Sequence, residues 1–170
     1  MPGCGKSTVG RHVARHLGLT LVDCDHEIEH RAGCSIRDYF ASYGEGAFRE
    51  LETEVLDVVT HGGPSVIATG GGSVLREPNR RMLRERCAVV YLRSTPEELA
   101  RRLRHDTKRP LLQGGDPLRR LRDLFRDRDP LYRQTAHYII ETGRPTVPSL
   151  VNMLLMQLEL AGLVRAVGPG

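Results

Sequence analysis

The residues best suited to chemistry stand at the start of the chain, where Pro2-Gly3-Cys4-Gly5-Lys6-Ser7-Thr8 forms most of a phosphate-binding P-loop. In such a loop the glycines let backbone N–H groups turn inward around phosphate oxygens, and the following helix directs its positive end at the same anion. Lys6 is predicted to reach the β- and γ-phosphates, and the Ser7 hydroxyl to ligate Mg²⁺. The predicted nucleotide-binding residues here are Gly3, Cys4, Gly5, Lys6, Ser7 and Thr8.

The position of this loop has a second implication. Counting back from Gly5, the first glycine of the full pattern falls one residue before Met1, and the strand that delivers the loop falls earlier still. We therefore expect this polypeptide to lack the first strand of its sheet. A glycine-rich turn that only caps a helix is the alternative interpretation, but the Lys-Ser-Thr that follows the glycines is more than a cap needs.

A second motif, Asp23-Cys24-Asp25, lies at the carboxyl end of a predicted strand. The period of two along a strand predicts that both carboxylates lie on one face, at the sheet edge where open α/β folds bind ligands. One carboxylate can hold hydrated Mg²⁺ while the other contacts an acceptor hydroxyl. A plain strand-to-helix turn with a capping Asp is the alternative.

Glycines and arginines complete the candidate site. Gly70-Gly71-Gly72 follows another predicted strand and lets the backbone approach a ligand closely, although it lacks the spacing of a dinucleotide motif and could be only a tight turn. Arg49, Arg109 and Arg128 stand in unusual settings, next to Phe or Pro residues or an Asp-Pro pair. Any one of them could be an ordinary surface arginine. Together with the P-loop they favour gripping a carboxylate and neutralising a transferring phosphoryl group.

Composition narrows the class of protein. The formal charge of +4 comes from arginine, since only Lys6 and Lys108 are lysines, and most arginines alternate with acids. Five Tyr, three Phe and no Trp leave little material for stacking nucleic-acid bases. The four cysteines lack paired ligand spacing, and neither a signal peptide nor a membrane-length apolar run is visible. We therefore expect a cytoplasmic protein without nucleic-acid or membrane partners.

Alternating strands and helices are predicted to position these motifs. Strands are predicted at 19–23, 65–69, 88–92 and 138–141, and helices begin near Lys6 and at about 26, 35, 46, 77, 95, 117 and 148. Such alternation predicts an α/β fold with a parallel sheet covered on both faces. We expect one domain over 1–170, with a mobile lid at about 104–116 and a disordered tail at about 163–170.

The ordered set of motifs resembles the shikimate kinase family over roughly residues 2 to 160. It consists of Pro-Gly-Cys-Gly-Lys-Ser-Thr, Asp-Cys-Asp, Phe-Arg-Glu-Leu-Glu, Gly-Gly-Gly, Arg-Pro-Leu-Leu and Arg-Asp-Pro-Leu-Tyr. The resemblance implies a three-layer P-loop kinase sandwich with strand order 2-3-1-4-5, here without the first, central strand. It also implies transfer of the ATP γ-phosphoryl group to the 3-hydroxyl of shikimate, on the route to the aromatic amino acids.

The resemblance also assigns roles. Lys6 and Arg109 would act on the phosphates, Asp25 would be the base, and Ser7 and Asp23 would hold Mg²⁺. Shikimate would be bound by Asp25, Arg49, Gly71, Gly72 and Arg128. Glu52 would support Arg49 from one helical turn away, and Arg144 would lie near the adenine of ATP. The expected partners are therefore ATP and shikimate, with the enzyme a monomer.

Three alternatives remain open at this stage. A gluconate-type kinase shares the P-loop and the size, but the Asp-x-Asp and triple-Gly motifs favour shikimate. An inactive nucleotide-binding protein of the same fold is favoured by the missing strand and opposed by the retained charged residues. A nucleic-acid-binding module is the most distant alternative, and a steep salt dependence of duplex binding would reveal it.

The lid assignment generates a prediction. Arg109→Ala should lower turnover roughly 10²–10³-fold, because a donor aimed at the transferring phosphoryl group stabilises charge mainly in the transition state. The KM for shikimate should change much less. Steady-state kinetics with both substrates varied will separate the two effects. Equal losses in turnover and in shikimate affinity would contradict the assignment of Arg109 to the lid.

Overall fold

Helices and strands alternate along the chain in the computed structural model, which describes Met1 and residues 4–104, 115–143 and 145–165. The elements are α1 (Lys6–Leu17), β1 (Thr20–Asp23), α2 (Cys24–Ala32), α3 (Ile36–Thr60), β2 (Ser65–Ala68), α4 (Glu77–Arg86), β3 (Val90–Arg93), α5 (Pro96–Leu103), α6 (Pro117–Thr135), β4 (Tyr138–Glu141) and α7 (Val147–Leu160). The predicted α/β class is confirmed, and the four predicted strands are all present with their ends shifted by at most two residues.

The strands form two parallel pairs. In the first pair β1 lies beside β2, with Thr20 opposite Ser65, and in the second β3 lies beside β4, with Val90 opposite Tyr138. In the family order 2-3-1-4-5, β1 to β4 of this chain correspond to strands 2 to 5. Removing strand 1 from that order leaves these two pairs. Within the described residues no strand joins β2 to β3.

Helix α1 is positioned by glycines at both ends. Gly5 precedes it with a φ of 87°, and Gly18 ends it with a φ of 64° while donating its N–H to the Ala14 and Arg15 carbonyls. These left-handed backbone angles favour glycine, which has no Cβ to clash. Val9 and Val13 are buried, and the helix packs against β2 and α7. The start of α1 is thereby fixed beside the sheet.

The predicted helices at 35–43 and 46–61 form one element, α3, that is broken at Gly44. The backbone there has a φ of 81° and a ψ of 176°, which is far from helical. Ser35 caps the first segment through a hydrogen bond from the Asp38 N–H, as predicted. The second segment therefore starts in a new direction and carries Arg49 and Glu52 toward the sheet edge.

Capping residues also fix where α5 and α6 begin. Thr95 and Glu98 form the predicted capping box around Pro96. Asp116 accepts hydrogen bonds from the Leu118 and Arg119 N–H groups, which starts α6 where the Asp-Pro pair predicted. These caps satisfy N–H groups that the helices leave unpaired.

The predicted lid and tail lie mainly outside the described residues. Of the predicted lid at about 104–116 the structure describes Arg104, Gly115 and Asp116, and of the predicted tail at about 163–170 it describes 163–165. The mobility of both segments and the single domain over 1–170 stay predictions. In the described part of the chain, none of the helices has the length and apolar character needed to cross a membrane.

Leu99 provides a test of the packing. It is fully buried in the largest apolar cluster, whereas Leu160 at the end of α7 is 78% exposed. Leu99→Ala should lower the free energy of unfolding by about 2–5 kcal/mol, because it removes buried methyl groups and leaves a cavity. Leu160→Ala should change it by less than about 0.5 kcal/mol. Urea denaturation measures both, and similar values for the two variants would contradict the assigned core.

Candidate active site

The phosphate loop lies at the amino end of α1. Val9 donates its N–H to the Gly5 carbonyl at 2.9 Å, so the helix proper begins with Lys6. The N–H groups of a helix's first turn have no intrahelical acceptor, and they carry the positive end of the helix dipole. Ser7 and Thr8 are exposed in this turn. The arrangement suits an anion, as the sequence predicts; Gly3 lies outside the described residues.

Lys6 contacts two residues of the segment that precedes it. Its Nζ donates to the Met1 carbonyl at 3.3 Å and lies 4.0 Å from the Cys4 sulfur. The ammonium group is thus kept next to the loop rather than extended into solvent. A phosphate in the loop would offer Lys6 a stronger, charged acceptor in place of this carbonyl.

Asp23 and Asp25 come together through a helix cap. Asp23 is the last residue of β1, and its Oδ1 accepts hydrogen bonds from the N–H of Asp25 at 3.0 Å and of His26 at 3.3 Å. Asp25 therefore lies in the first turn of α2. The expectation that a continuing strand places both carboxylates on one face is wrong, because β1 ends at Asp23. The alternative interpretation, a strand-to-helix turn with a capping Asp, therefore describes Asp23 correctly.

The surroundings of Asp25 disfavour its charge. Partial burial raises the pKa of this carboxyl, the nearby Asp23 carboxylate raises it further, and the Lys6 ammonium acts in the opposite direction. Glu52 adds to the repulsion. A Cβ at position 70 would lie 2.9 Å from Asp25 Oδ1 and 3.2 Å from Glu52 Oε1, so glycine there admits both carboxylates.

A buried carboxylate orients Arg49. Glu52 is only 3% exposed, and its Oε2 accepts a hydrogen bond from Arg49 Nη1 at 2.8 Å. Its Oε1 accepts one from the Ser73 hydroxyl at 3.1 Å. The Arg49 Nε is buried and forms no hydrogen bond among the described residues, although a Glu45 carboxylate oxygen lies 3.5 Å from it. The guanidinium is therefore fixed by Glu52 and keeps donor capacity for a ligand.

The glycine run brings Arg49 and Arg128 to one place. Gly72 is buried, and the atoms nearest to a Cβ built there are all in the Arg49 guanidinium. A Cβ at Gly71 would lie 3.4 Å from Arg128 Nη1 and 3.5 Å from the Tyr132 hydroxyl, which donates to the Gly71 carbonyl. Two guanidinium groups thus lie against consecutive glycines, a geometry suited to a carboxylate.

Asp129 supports the site, although the sequence analysis gave this residue no role. It is 9% exposed and accepts hydrogen bonds from Tyr91, Arg93 and Arg133 at 2.8–3.0 Å. Desolvation opposes its charge, but these hydrogen bonds hold the pKa of Asp129 below the usual range. Asp129 fastens α6 to β3 and so fixes the adjacent Arg128. The signal was present in the Arg-Asp-Pro-Leu-Tyr motif, where only the arginine was given a role.

The structure brings together most of the predicted residues that it describes. Lys6 and Asp25 interact electrostatically, and Asp25 adjoins the glycine run that contacts both Arg49 and Arg128. Arg109 and Arg144 lie outside the described residues, and their roles stay predictions. Among the residues that are described, no group of three or more His, Cys, Asp or Glu side chains could hold a metal ion.

Comparison with known proteins gives a consistent result. Residues 2–159 match the family described as shikimate kinase. The chain is similar to shikimate kinase of Paracidovorax citrulli, with 57% identity over 96% of this chain and 91% of that protein. It is also similar to shikimate kinase of Ralstonia nicotianae, with 56% identity over 95% of this chain and 85% of that protein.

Solved structures agree with the sequence matches. A shikimate kinase from Acinetobacter baumannii in complex with shikimate has a TM-score of 0.86 and 46% identity, covering 94% of this chain and 89% of that one. A shikimate kinase from Bacteroides thetaiotaomicron has a TM-score of 0.87 and 34% identity, covering 93% and 94%.

Burial and the neighbouring carboxylates predict that ionisation of Asp25 destabilises the fold. A carboxyl whose folded-state pKa lies above its ordinary value of 3.8 binds its proton more tightly in the native state. Stability is then lost as the pH rises from 3.8 through the raised pKa. We expect Asp25→Asn to unfold at higher urea concentration than the natural protein at pH 7, with the difference shrinking as the pH falls through this window.

Glu50→Gln, on an exposed position of α3, is the matched control and should leave the urea midpoint nearly unchanged at pH 7. An Asp25→Asn protein that is less stable than the natural one at pH 7 would show that favourable contacts outweigh the repulsion.

Proposed function

The chain belongs to the shikimate kinase family, and we propose that this cleft transfers the γ-phosphoryl group of ATP to the 3-hydroxyl of shikimate, giving shikimate 3-phosphate and ADP. The convergence of Arg49 and Arg128 on Gly71 and Gly72, beside the phosphate loop, carries the proposal. This arrangement provides two guanidinium groups that can hold the carboxylate of a small substrate. A gluconate-type substrate specificity is not supported by the relatives, which are shikimate kinases.

At the nucleotide end, the phosphate loop and Lys6 hold the triphosphate. Lys6 exchanges the Met1 carbonyl for β- and γ-phosphate oxygens, which are charged and therefore better acceptors. Cys4, Gly5, Ser7 and Thr8 surround the phosphates with N–H groups from the loop and the first turn of α1. For Gly3, Arg109 and Arg144, which lie outside the described residues, the sequence assigns roles at the phosphates, at the transferring group and at the adenine.

At the acceptor end, Asp25 takes the proton of the shikimate 3-hydroxyl while the hydroxyl oxygen bonds to the γ-phosphorus and the bond to the ADP oxygen breaks. The raised pKa of Asp25 brings this carboxylate closer to the operating pH of an efficient general base. With Mg²⁺ held at Asp23, the charge of the ion would offset that of this carboxylate and so lessen the repulsion that Asp25 meets from it.

The shikimate carboxylate is held by Arg49 and Arg128. The hydrogen bond from Arg49 to the buried Glu52 fixes the guanidinium before substrate arrives, so little freedom is lost on binding. Asp129 does the same for the segment that carries Arg128. The Gly71 and Gly72 backbone faces the ring hydroxyls, and a side chain at Gly72 would collide with the Arg49 guanidinium.

Mg²⁺ fits the oxygen ligands near the phosphate loop. A carboxylate can accept about four hydrogen bonds or ligand contacts, so Asp23 keeps capacity beyond the two it uses in capping α2. Mg²⁺ usually binds through one or two protein oxygens, waters and substrate phosphates, which agrees with a site made of Ser7 and Asp23 only. The ion would neutralise charge that develops on the phosphate oxygens.

We further propose that the enzyme acts as a cytoplasmic monomer. The four cysteines are free thiols, two of them buried, which fits a reducing compartment. The substrates are small anions, and each predicted contact to them comes from one chain.

The proposal is tested by measuring ADP release from Mg-ATP with and without shikimate. Release should depend on shikimate, and Asp25→Asn should lower kcat by about 10²–10⁴-fold because the base is lost. The KM for ATP should stay nearly constant, since Asp25 lies on the acceptor side.

Glu50→Gln serves again as the control and should keep its full kcat. Because Asp25→Asn is expected to be at least as stable as the natural protein, unfolding cannot explain its loss of activity. Near-normal turnover would remove Asp25 as the base, and release that gluconate stimulates better than shikimate would overturn the substrate assignment.

A further inference from the structure

Arg76 links the loop after the glycine run to the helical turn that carries Arg49. Its Nη1 donates to the Arg49 carbonyl at 3.3 Å and to the Thr53 hydroxyl at 3.0 Å. The Thr53 hydroxyl in turn donates to the same Arg49 carbonyl at 2.9 Å. A guanidinium and a hydroxyl thus meet at the backbone of the arginine whose side chain lies against Gly72.

Arg76 occupies a position at which other residue types would stabilise α4 better. It is the N-cap of α4, with a φ of −94° and a ψ of 133°. Ser, Thr, Asp and Asn are favoured there, because their side-chain oxygen accepts a hydrogen bond from an N–H of the first turn. Such caps start the helices after Ser35, Thr95 and Asp116. An arginine side chain has no acceptor, so this local preference is set aside while the side chain reaches across to α3.

A second arginine of α4 also reaches α3, but it binds a different turn. Arg86 Nη1 donates to the Asp57 carboxylate at 2.7 Å and to the Thr60 hydroxyl at 3.1 Å. The two ends of α4 are thus attached to separate parts of α3. The Arg86 end forms an ordinary ion pair between helix surfaces, whereas both acceptors of Arg76 are neutral and one is the Arg49 backbone.

Arg49 is therefore held at both of its ends by the segment that follows the glycine run. At the tip, its Nη1 donates to Glu52 at 2.8 Å, and Glu52 also accepts a hydrogen bond from the Ser73 hydroxyl. At the backbone, its carbonyl accepts the hydrogen bond from Arg76. The first link orients the guanidinium, and the second fixes the main chain from which the side chain extends.

We propose that Arg76 is a positioning residue for the substrate carboxylate and acts through Arg49. The inference rests on the proposed function, which assigns Arg49 to the carboxylate of shikimate. With Arg76 in place, the turn 49–53 keeps a fixed position relative to the glycine run, so less freedom is lost when the carboxylate binds. The carboxylate does not react, so this contribution is equal in the ground state and the transition state.

Arg76→Ser separates positioning from stability. The serine removes the guanidinium but supplies a hydroxyl that can cap α4. Calorimetric titration should show the Kd for shikimate raised roughly 5–10-fold, as expected when a hydrogen bond from a charged donor is lost. The kcat should stay within about 2-fold of the natural value, and the KM for ATP should not change. The urea midpoint should not fall, because the new cap offsets the lost link.

Two further variants serve as the rescue and the matched control. Arg76→Lys keeps a charged donor and should return the Kd for shikimate to within about 3-fold of the natural value. Arg86→Ser breaks the link at the other end of α4, so it should lower the urea midpoint and leave this Kd unchanged. An unchanged Kd in Arg76→Ser would overturn the proposal. An equal rise in Arg86→Ser would also overturn it, because α4 would then act through general packing.

A neutral analogue shows whether the effect passes through Arg49. In shikimate amide a carboxamide replaces the carboxylate, so the guanidinium has no anion to hold. The natural protein and Arg76→Ser should then bind the amide with a Kd ratio of about 1. The same 5–10-fold loss with the amide as with shikimate would mean that Arg76 acts elsewhere in the cleft and would contradict the proposal.

The titrations require no phosphoryl transfer, so the two proposals can fail separately. A shikimate-dependent kinase whose Kd ignores Arg76→Ser would keep the proposed function and remove the positioning role. Shikimate binding that depends on Arg76 in a protein without transfer would support the role and overturn the proposed reaction. A natural protein that does not bind shikimate would overturn both.

Discussion

The buried Glu52 carboxylate is the interaction on which the geometry of the cleft depends. A charge removed from water must be paired and hydrogen-bonded, and removing one partner of such a pair typically costs about 3–5 kcal/mol. Glu52 meets this requirement with Arg49 from its own helix and Ser73 from the loop after β2. The need to satisfy one acid therefore fixes α3, the glycine run and the Arg49 guanidinium relative to one another.

Asp129 repeats the same principle on the opposite side of the cleft. It gathers a tyrosine and two arginines, and it holds α6 against β3 at the point from which Arg128 reaches Gly71. Asp25 is the contrast, because it adjoins two other carboxylates and its charge is opposed. Glu52 and Asp129 accept the hydrogen bonds that build the cleft, whereas the raised pKa of Asp25 suits the proton transfer proposed for it.

Local signals made most of the fold predictable from the sequence. The capping residues Ser35, Thr95 and Asp116 act within three or four positions, and each starts a helix where it was expected. The phosphate loop, the glycine run and the arginines were found because their residue types are specific. The turn from Asp23 to Asp25 was misjudged because a strand end and a helix cap use the same residues, and only neighbouring contacts decide between them.

Long-range pairing accounts for what the sequence could not show. Ser73 and Glu52 are 21 positions apart, and Asp129 and Tyr91 are 38 apart, so no spacing rule connects them. Their importance comes from burial, which tertiary packing creates. The roles of the site residues stay proposals, and those of Gly3, Arg109 and Arg144 rest on the sequence alone.

The division of the sheet has a consequence for how the chain folds. The first strand pair lies within residues 20–68 and the second within residues 90–141, so each pair closes inside its own stretch of sequence. Thr20 pairs with Ser65 and Val90 with Tyr138, so each pair must close a long loop before its hydrogen bonds can form. Helices, whose caps act over a few residues, can therefore form early, and strand pairing is expected to be the slower step of folding.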